Sequence, residues 1–323
     1  MDQRKLIRLG NSSYAIALPK DWIDKSGLKK GDNVFITPNS NGELIVQPTY
    51  KKPDEEPAIT LNLNNKKERD IHREIIAAYI KGHNLINVKI DKKDLNSAKD
   101  SIKNLFGIEI IDATQDSIVA RSIIDITSVT IENITRRLDN SLRNIIEELE
   151  PFIKKGNLTN KEYNEILSAR KDVNRFYFLL CKIMIQGMEN PSVLNAIKTN
   201  SFSVVCSWAI SSCIKQIGDS LKEIAKILSK NKINEKEAEH ISKILNKIKE
   251  NFVLALTSYH LKDSELSLKA TKTREEIFDL CSKENKSLAA REVCNNFIKI
   301  QHDIHYIARY VMDFVKSDDS KEK

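Results

Sequence analysis

Three cations crowd the start of the chain. Arg4, Lys5 and Arg8 lie on and around the basic–apolar alternation RKLIRL, and Gly10, Asn11, Ser12 and Ser13 follow at once. Cationic side chains beside small amides and hydroxyls, with backbone N–H groups offered by a tight turn, suit phosphate oxygens and base edges. Repeated about a two-fold axis, such a set would match a palindromic duplex site. A basic, polar edge strand also discourages edge-to-edge aggregation, and the residue types alone leave both uses open.

Chemistry elsewhere is sparse. Residues 58–123 hold no glycine-rich phosphate loop, and the five cysteines, Cys181, Cys206, Cys213, Cys281 and Cys294, form no CxxC. They sit among apolar helical residues and read as reduced, buried thiols of a cytoplasmic protein. Cys206 and Cys213 stand seven apart, a core spacing, and Trp208 and the Phe176–Tyr177–Phe178 run read as packing within helices. His302 and His305 are three apart on one helix and could approach one metal ion. No Ser/His/Asp or Cys/His arrangement stands out, so the chain reads as a protein without enzymatic activity.

The elements that must position these residues fall into three regions. Residues 1–48 read as four short strands and one helical turn, opened by Pro19 and closed by Gly27. A hairpin around the turn NSNG ends the region. A unit this small cannot bury a sufficient core alone, which predicts an obligate dimer with interleaved hairpins. Residues 49–57, rich in proline and charge, read as a semi-rigid linker. Residues 58–123 alternate strand and helix in the order βαβαββ, a small α/β sandwich with helices on one face.

Residues 124–316 read as helical throughout. Val293, Phe297, Ile300, Ile304, Ile307, Val311 and Phe314 recur at spacings of three and four. So do Ile131, Ile134, Leu138, Leu142, Ile145, Leu149 and Phe152, and Ile210, Ile214, Ile217, Leu221, Ile224 and Leu228. That spacing marks long, nearly parallel packed helices. Breaks predict six helices, beginning near 127, 160, 200, 234, 263 and 287, grouped as two sets of three: a duplicated three-helix bundle over 124–230 and 231–316. Residues 317–323 read as a disordered tail.

With 41% hydrophobic and 30% charged residues, the composition is that of a soluble globular protein. Only nine glycines and seven prolines interrupt the chain, which favours helix. No apolar stretch approaches the ~20 residues of a membrane span, and the first ten residues lack a signal-peptide core. The net charge of +7 permits a polyanionic partner without demanding one.

The stretch RLGNSSYAIALPKDWIDKSGLKKGDNVFI, with ELIVQP after it, resembles the AbrB/SpoVT/MazE swapped-hairpin domain: a short strand, GNS, a strand ending in LPK, a brief helix, GLKKGD and a final hairpin. The resemblance implies a dimeric β-barrel that binds DNA through Arg4, Lys5, Arg8, Asn11, Ser12 and Ser13, with Lys20 beside them. Residues from about 90 to 316 are similar to archaeal PhoU-type phosphate-uptake regulators, on LFGIEII, VNRFYFLL and the two-fold three-helix repeat. Together these imply a mostly α protein with a small β head, acting as a homodimeric DNA-binding regulator of phosphate uptake or phosphate signalling. Two alternatives stand beside that reading. In one, the head only dimerises and the body regulates a phosphate-transporter ATPase by contact.

In the other, the body binds a divalent metal or iron. The PhoU pattern carries ExxxD pairs, which place two carboxylates on one helix face. Here Glu275 and Asp279 keep one complete pair, whereas Asp219 is preceded by Lys215 at the glutamate position. Arg170 and Asn174, and His305 and Arg309, stand at the other acid positions. Cations aimed into a cluster repel a metal ion, so salt bridges from Lys215 or Arg309 to Asp219, Glu275 or Asp279 are expected in its place. No cofactor is otherwise called for.

Overall fold

The first unit of the chain shows why it reads as incomplete. The computed structural model describes residues 3–38, 42–48, 58–282 and 287–318, and its two compact units are Met1–Glu55 and Glu56–Lys323. In the first unit, β1 (Ile7–Leu9) pairs antiparallel with β2 (Ser13–Ala15), and β3 (Phe35–Pro38) with β4 (Leu44–Gln47). Between them Pro19, held at φ −61°, caps the short helix α1 (Lys20–Lys25). Gly27 takes φ +67° just past its end, a conformation that glycine adopts without a side-chain clash.

The two hairpins form separate two-stranded sheets, and among the described residues no barrel closes within the chain. None of these residues is buried. Leu6, Ile7, Leu9, Tyr14, Ile16, Phe35, Ile36 and Leu44 are all exposed, Leu6 and Leu44 by 67%. Each would gain roughly 1.5–3 kcal/mol on full burial. The expected turn at 39–42 lies largely outside the described residues, and the expected linker at 49–57 lies wholly outside them.

The second unit opens with β5 (Ala58–Asn62), α2 (Glu68–Ile80), β6 (Leu85–Lys89), α3 (Leu95–Lys103), β7 (Ile108–Ala113) and β8 (Ser117–Ser122). The sheet order is β5-β6-β8-β7; β5 runs parallel to β6, and the other pairs are antiparallel. Burial alternates along β6 and β8. Ile86, Val88, Ile118 and Ala120 turn inward against Ile71, Ile75, Tyr79, Ala98 and Ile102 of the two helices.

The rest is helical: α4 (Ile131–Lys155), α5 (Asn160–Glu189), α6 (Pro191–Ala196), α7 (Ser201–Lys230), α8 (Glu235–Leu261), α9 (Ser264–Thr271), α10 (Arg274–Ser282) and α11 (Leu288–Asp318). The described residues of the three apolar stripes are buried, except Phe152, which is half-buried. The side chain of Phe314 lies outside them. Reciprocal capping boxes start α5 (Thr159 with Glu162) and α8 (Asn234 with Glu237), which satisfies donors that each helix start leaves open.

Two departures from six helices have local causes. Asn190 is extended ahead of Pro191, so α5 stops and a new short helix begins. The fifth helix divides into α9 and α10 where the hydroxyls of Thr271 and Thr273 donate to the carbonyls of Leu268 and Ala270, competing with the helix's own bonds. The final helix runs through Asp318, so the expected tail starts inside it; residues 319–323 lie outside the described residues. A single core, including Leu142, Ile217, Ile248 and Ile300, runs through α4, α7, α8 and α11.

Candidate nucleic-acid interface

The first hairpin holds one cation of the set, Arg8. Its register places Arg8 opposite Tyr14, with Ile7 opposite Ala15 and Leu9 opposite Ser13. Because strand side chains alternate, Arg8 and Tyr14 share one face while Ile7 and Leu9 take the other. The three-residue turn Gly10–Ser12 joins the strands, with Gly10 at φ +74°. The Arg8 guanidinium is steered over this turn, since Nε donates to the Gly10 carbonyl at 3.1 Å. Arg4, Lys5, Arg8, Asn11, Ser12, Ser13 and Lys20 are all exposed. Arg8, Asn11, Ser12 and Ser13 therefore share this hairpin, while Arg4 and Lys5 precede β1 and Lys20 opens α1. Tyr14 lies on the same face as Arg8. The register is its signal, and strand boundaries alone do not reveal it.

Residues 7–55 match the antidote-toxin recognition MazE family, described as a bacterial antitoxin. The match covers the N-terminal unit and leaves the second unit unmatched. No curated protein and no solved structure matches the chain. A MazE/AbrB-like head is compatible with DNA binding and regulation, and the second unit of the chain is mostly helical.

The candidate metal residues do not converge. Among the described residues no group of three or more His, Cys, Asp or Glu side chains could hold a metal ion. Asp219 is paired with Arg170, and Lys215 Nζ reaches its other oxygen at 3.0 Å. The expected Lys215 bridge is present; Arg309 makes none with the described residues and lies over the Tyr306 ring at 5.8 Å. Glu275, Asp279 and His302 line one cavity of about 460 Å³ between α10 and α11, and Arg274 and Gln301 line it too. A guanidinium on that wall opposes a bare cation. His302 Nδ1 is 3.7 Å from Asp303, whose carboxyl burial pushes up to about 6 while His302 pulls it back. Desolvation, then the charges of Arg274 and Arg309, hold the His305 imidazole below its ordinary value.

All five cysteines carry reduced thiols, and burial pushes Cys213 up to about 12, an unreactive thiol. Two expectations need correction. Cys206 is only half-buried, and Trp208 is 39% exposed, because α7 turns the face carrying Phe202, Val205 and Trp208 outward. Of the aromatic run, Phe176 and Tyr177 pack on the helical core and Phe178 on the α/β core.

Among the described residues, no helix is long and apolar enough to cross a membrane.

Proposed function

We propose that the chain is a homodimeric, DNA-binding transcriptional regulator without enzymatic activity. Its heads complete one another's cores by pairing hairpins, and the two first hairpins then present Arg4, Lys5, Arg8, Asn11, Ser12, Ser13 and Lys20 to a palindromic duplex. One observation carries this reading: the described residues of the segment matched to the MazE family include no buried one, yet they display a cationic turn and a row of exposed apolar side chains. Contacts to phosphates supply affinity and its salt dependence. The helical body senses or transmits a signal, and the PhoU resemblance makes that signal phosphate status. Selection of bound sequences from random DNA with the full chain tests the proposal: enrichment of two-fold-related half-sites supports it, and no enrichment at low salt overturns it.

A second reading is favoured by the outward row Phe202, Val205 and Trp208 on α7, each between 39% and 49% exposed. Apolar side chains one turn apart on a helix surface suit a protein partner, which the PhoU resemblance makes a phosphate-transporter ATPase. Co-purification of that ATPase, with no DNA retained at low salt, would favour it.

A further inference from the structure

Lys182 lies where α5 meets the α/β module. Its residue is 1% exposed, and it forms no ion pair with any described residue. Nζ donates to Ser122 Oγ at 2.9 Å, at the end of β8, and to Asn84 Oδ1 at 3.4 Å, just before β6. It also stands 4.9 Å from the ring centroid of Tyr79 on α2. One turn further along α5, Gln186 Nε2 donates to the Gly82 carbonyl at 3.3 Å. Every polar partner of this buried amine is neutral, although a buried ammonium normally has a carboxylate beside it. We propose that Lys182 is a proton-governed latch: neutral, it seats the α/β module firmly on the helical body, and protonation loosens that seat.

The surrounding ionisable groups leave Lys182 in control. Tyr79 donates its hydroxyl to the Phe106 carbonyl, and burial raises both Tyr79 and the adjacent Cys181, so each keeps its proton. Arg175, on the same helix, acts on Tyr79 and lies over the Phe106 ring. His83 in the 82–84 loop has a buried Nδ1 without a partner. Arg121, next to Ser122 on β8, is exposed. None is a carboxylate, and burial alone brings Lys182 from 10.5 to about 8. The seated state therefore binds fewer protons than the open state between those values. Seating carries its full penalty below about pH 8 and is relieved as pH rises from there towards 10.5.

Hydrogen exchange on the full chain, corrected for intrinsic rates, tests this at amides of β6, β8 and residues 178–186. The expected result is that opening becomes about tenfold rarer from pH 7 to pH 9, and that Lys182→Met removes this slope while raising protection at pH 7. A slope that is absent, or equal in the two proteins, overturns the latch. Should the variant fail to fold, NMR titration of the native chain carrying 13C-labelled lysine decides: a Lys182 midpoint near 8 is expected, and one above 10 overturns the proposal.

Discussion

Arg8 stands directly opposite Tyr14 across the first hairpin, and its guanidinium bonds back to the turn that follows its own strand. A cation held this way loses little freedom when it meets a phosphate. Arg8→Ala is expected to weaken DNA binding across all sequences and to reduce the log–log salt slope by about 1 per protomer. Mobility shifts between low and moderate salt measure both quantities. An unchanged slope would remove Arg8 from the interface.

Ile36, 57% exposed on β3, tests the dimer. Burying its side chain against a partner's hairpin is worth roughly 1.5–3 kcal/mol, and placing a carboxylate there costs several more. Ile36→Asp is expected to convert the full chain from dimer to monomer by sedimentation and to abolish duplex binding. Unaltered sedimentation would place the partner contact elsewhere.

Within the body, Asp139 on α4 accepts from Arg143 Nε at 2.6 Å and lies 3.2 Å from His260 Nε2 on α8. Burial by itself pushes this carboxyl up, but the hydrogen bonds of His260 and Arg143 outweigh it and hold the value below the usual range. A depressed carboxylate stabilises the fold above its unfolded pKa of about 4, and that contribution is lost as pH falls through the folded value. Asp139→Asn should cost about 3 kcal/mol at neutral pH, because Arg143 and His260 lose a charged acceptor and an amide NH2 replaces one of its two oxygens. It should also flatten the acid limb of stability. Urea unfolding between pH 2.5 and 7 reads both.

Gly156 ends α4 at φ +77°, and a Cβ there would stand 2.7 Å from the Ile233 carbonyl oxygen. That oxygen belongs to backbone and cannot swing aside. Gly156→Ala should therefore destabilise by more than ~1 kcal/mol, combining the left-handed backbone with a displaced segment before α8. A thermal melt that stays within a degree of the native protein would show that the 233–234 segment moves freely.

Much of this was legible from pattern alone. The stripes of Ile, Leu and Val at spacings of three and four mark the buried faces of α4, α7 and α11, because a helix can bury such a row along only one side. The head's motif order is equally plain, and its small size implies a missing core. What escaped depends on tertiary partners. Arg170 is 49 residues from Asp219, so its ion pair is invisible to spacing on a single helix. The break at Thr271–Thr273 comes from hydroxyls that bond carbonyls, which apolar periodicity does not register. Lys182 gave one faint signal, a lone cation inside the apolar run FYFLLCKIMI, and only the module packed over it shows why that matters.

The core shared by α4, α7, α8 and α11 also decides how the body can be divided. Cutting after Lys230 would expose the inward faces of α4, α5 and α7 to water, and each fragment would carry half of a surface made for the other. With one core shared along its whole length, the helical region from α4 to α11 stands or falls as a single body.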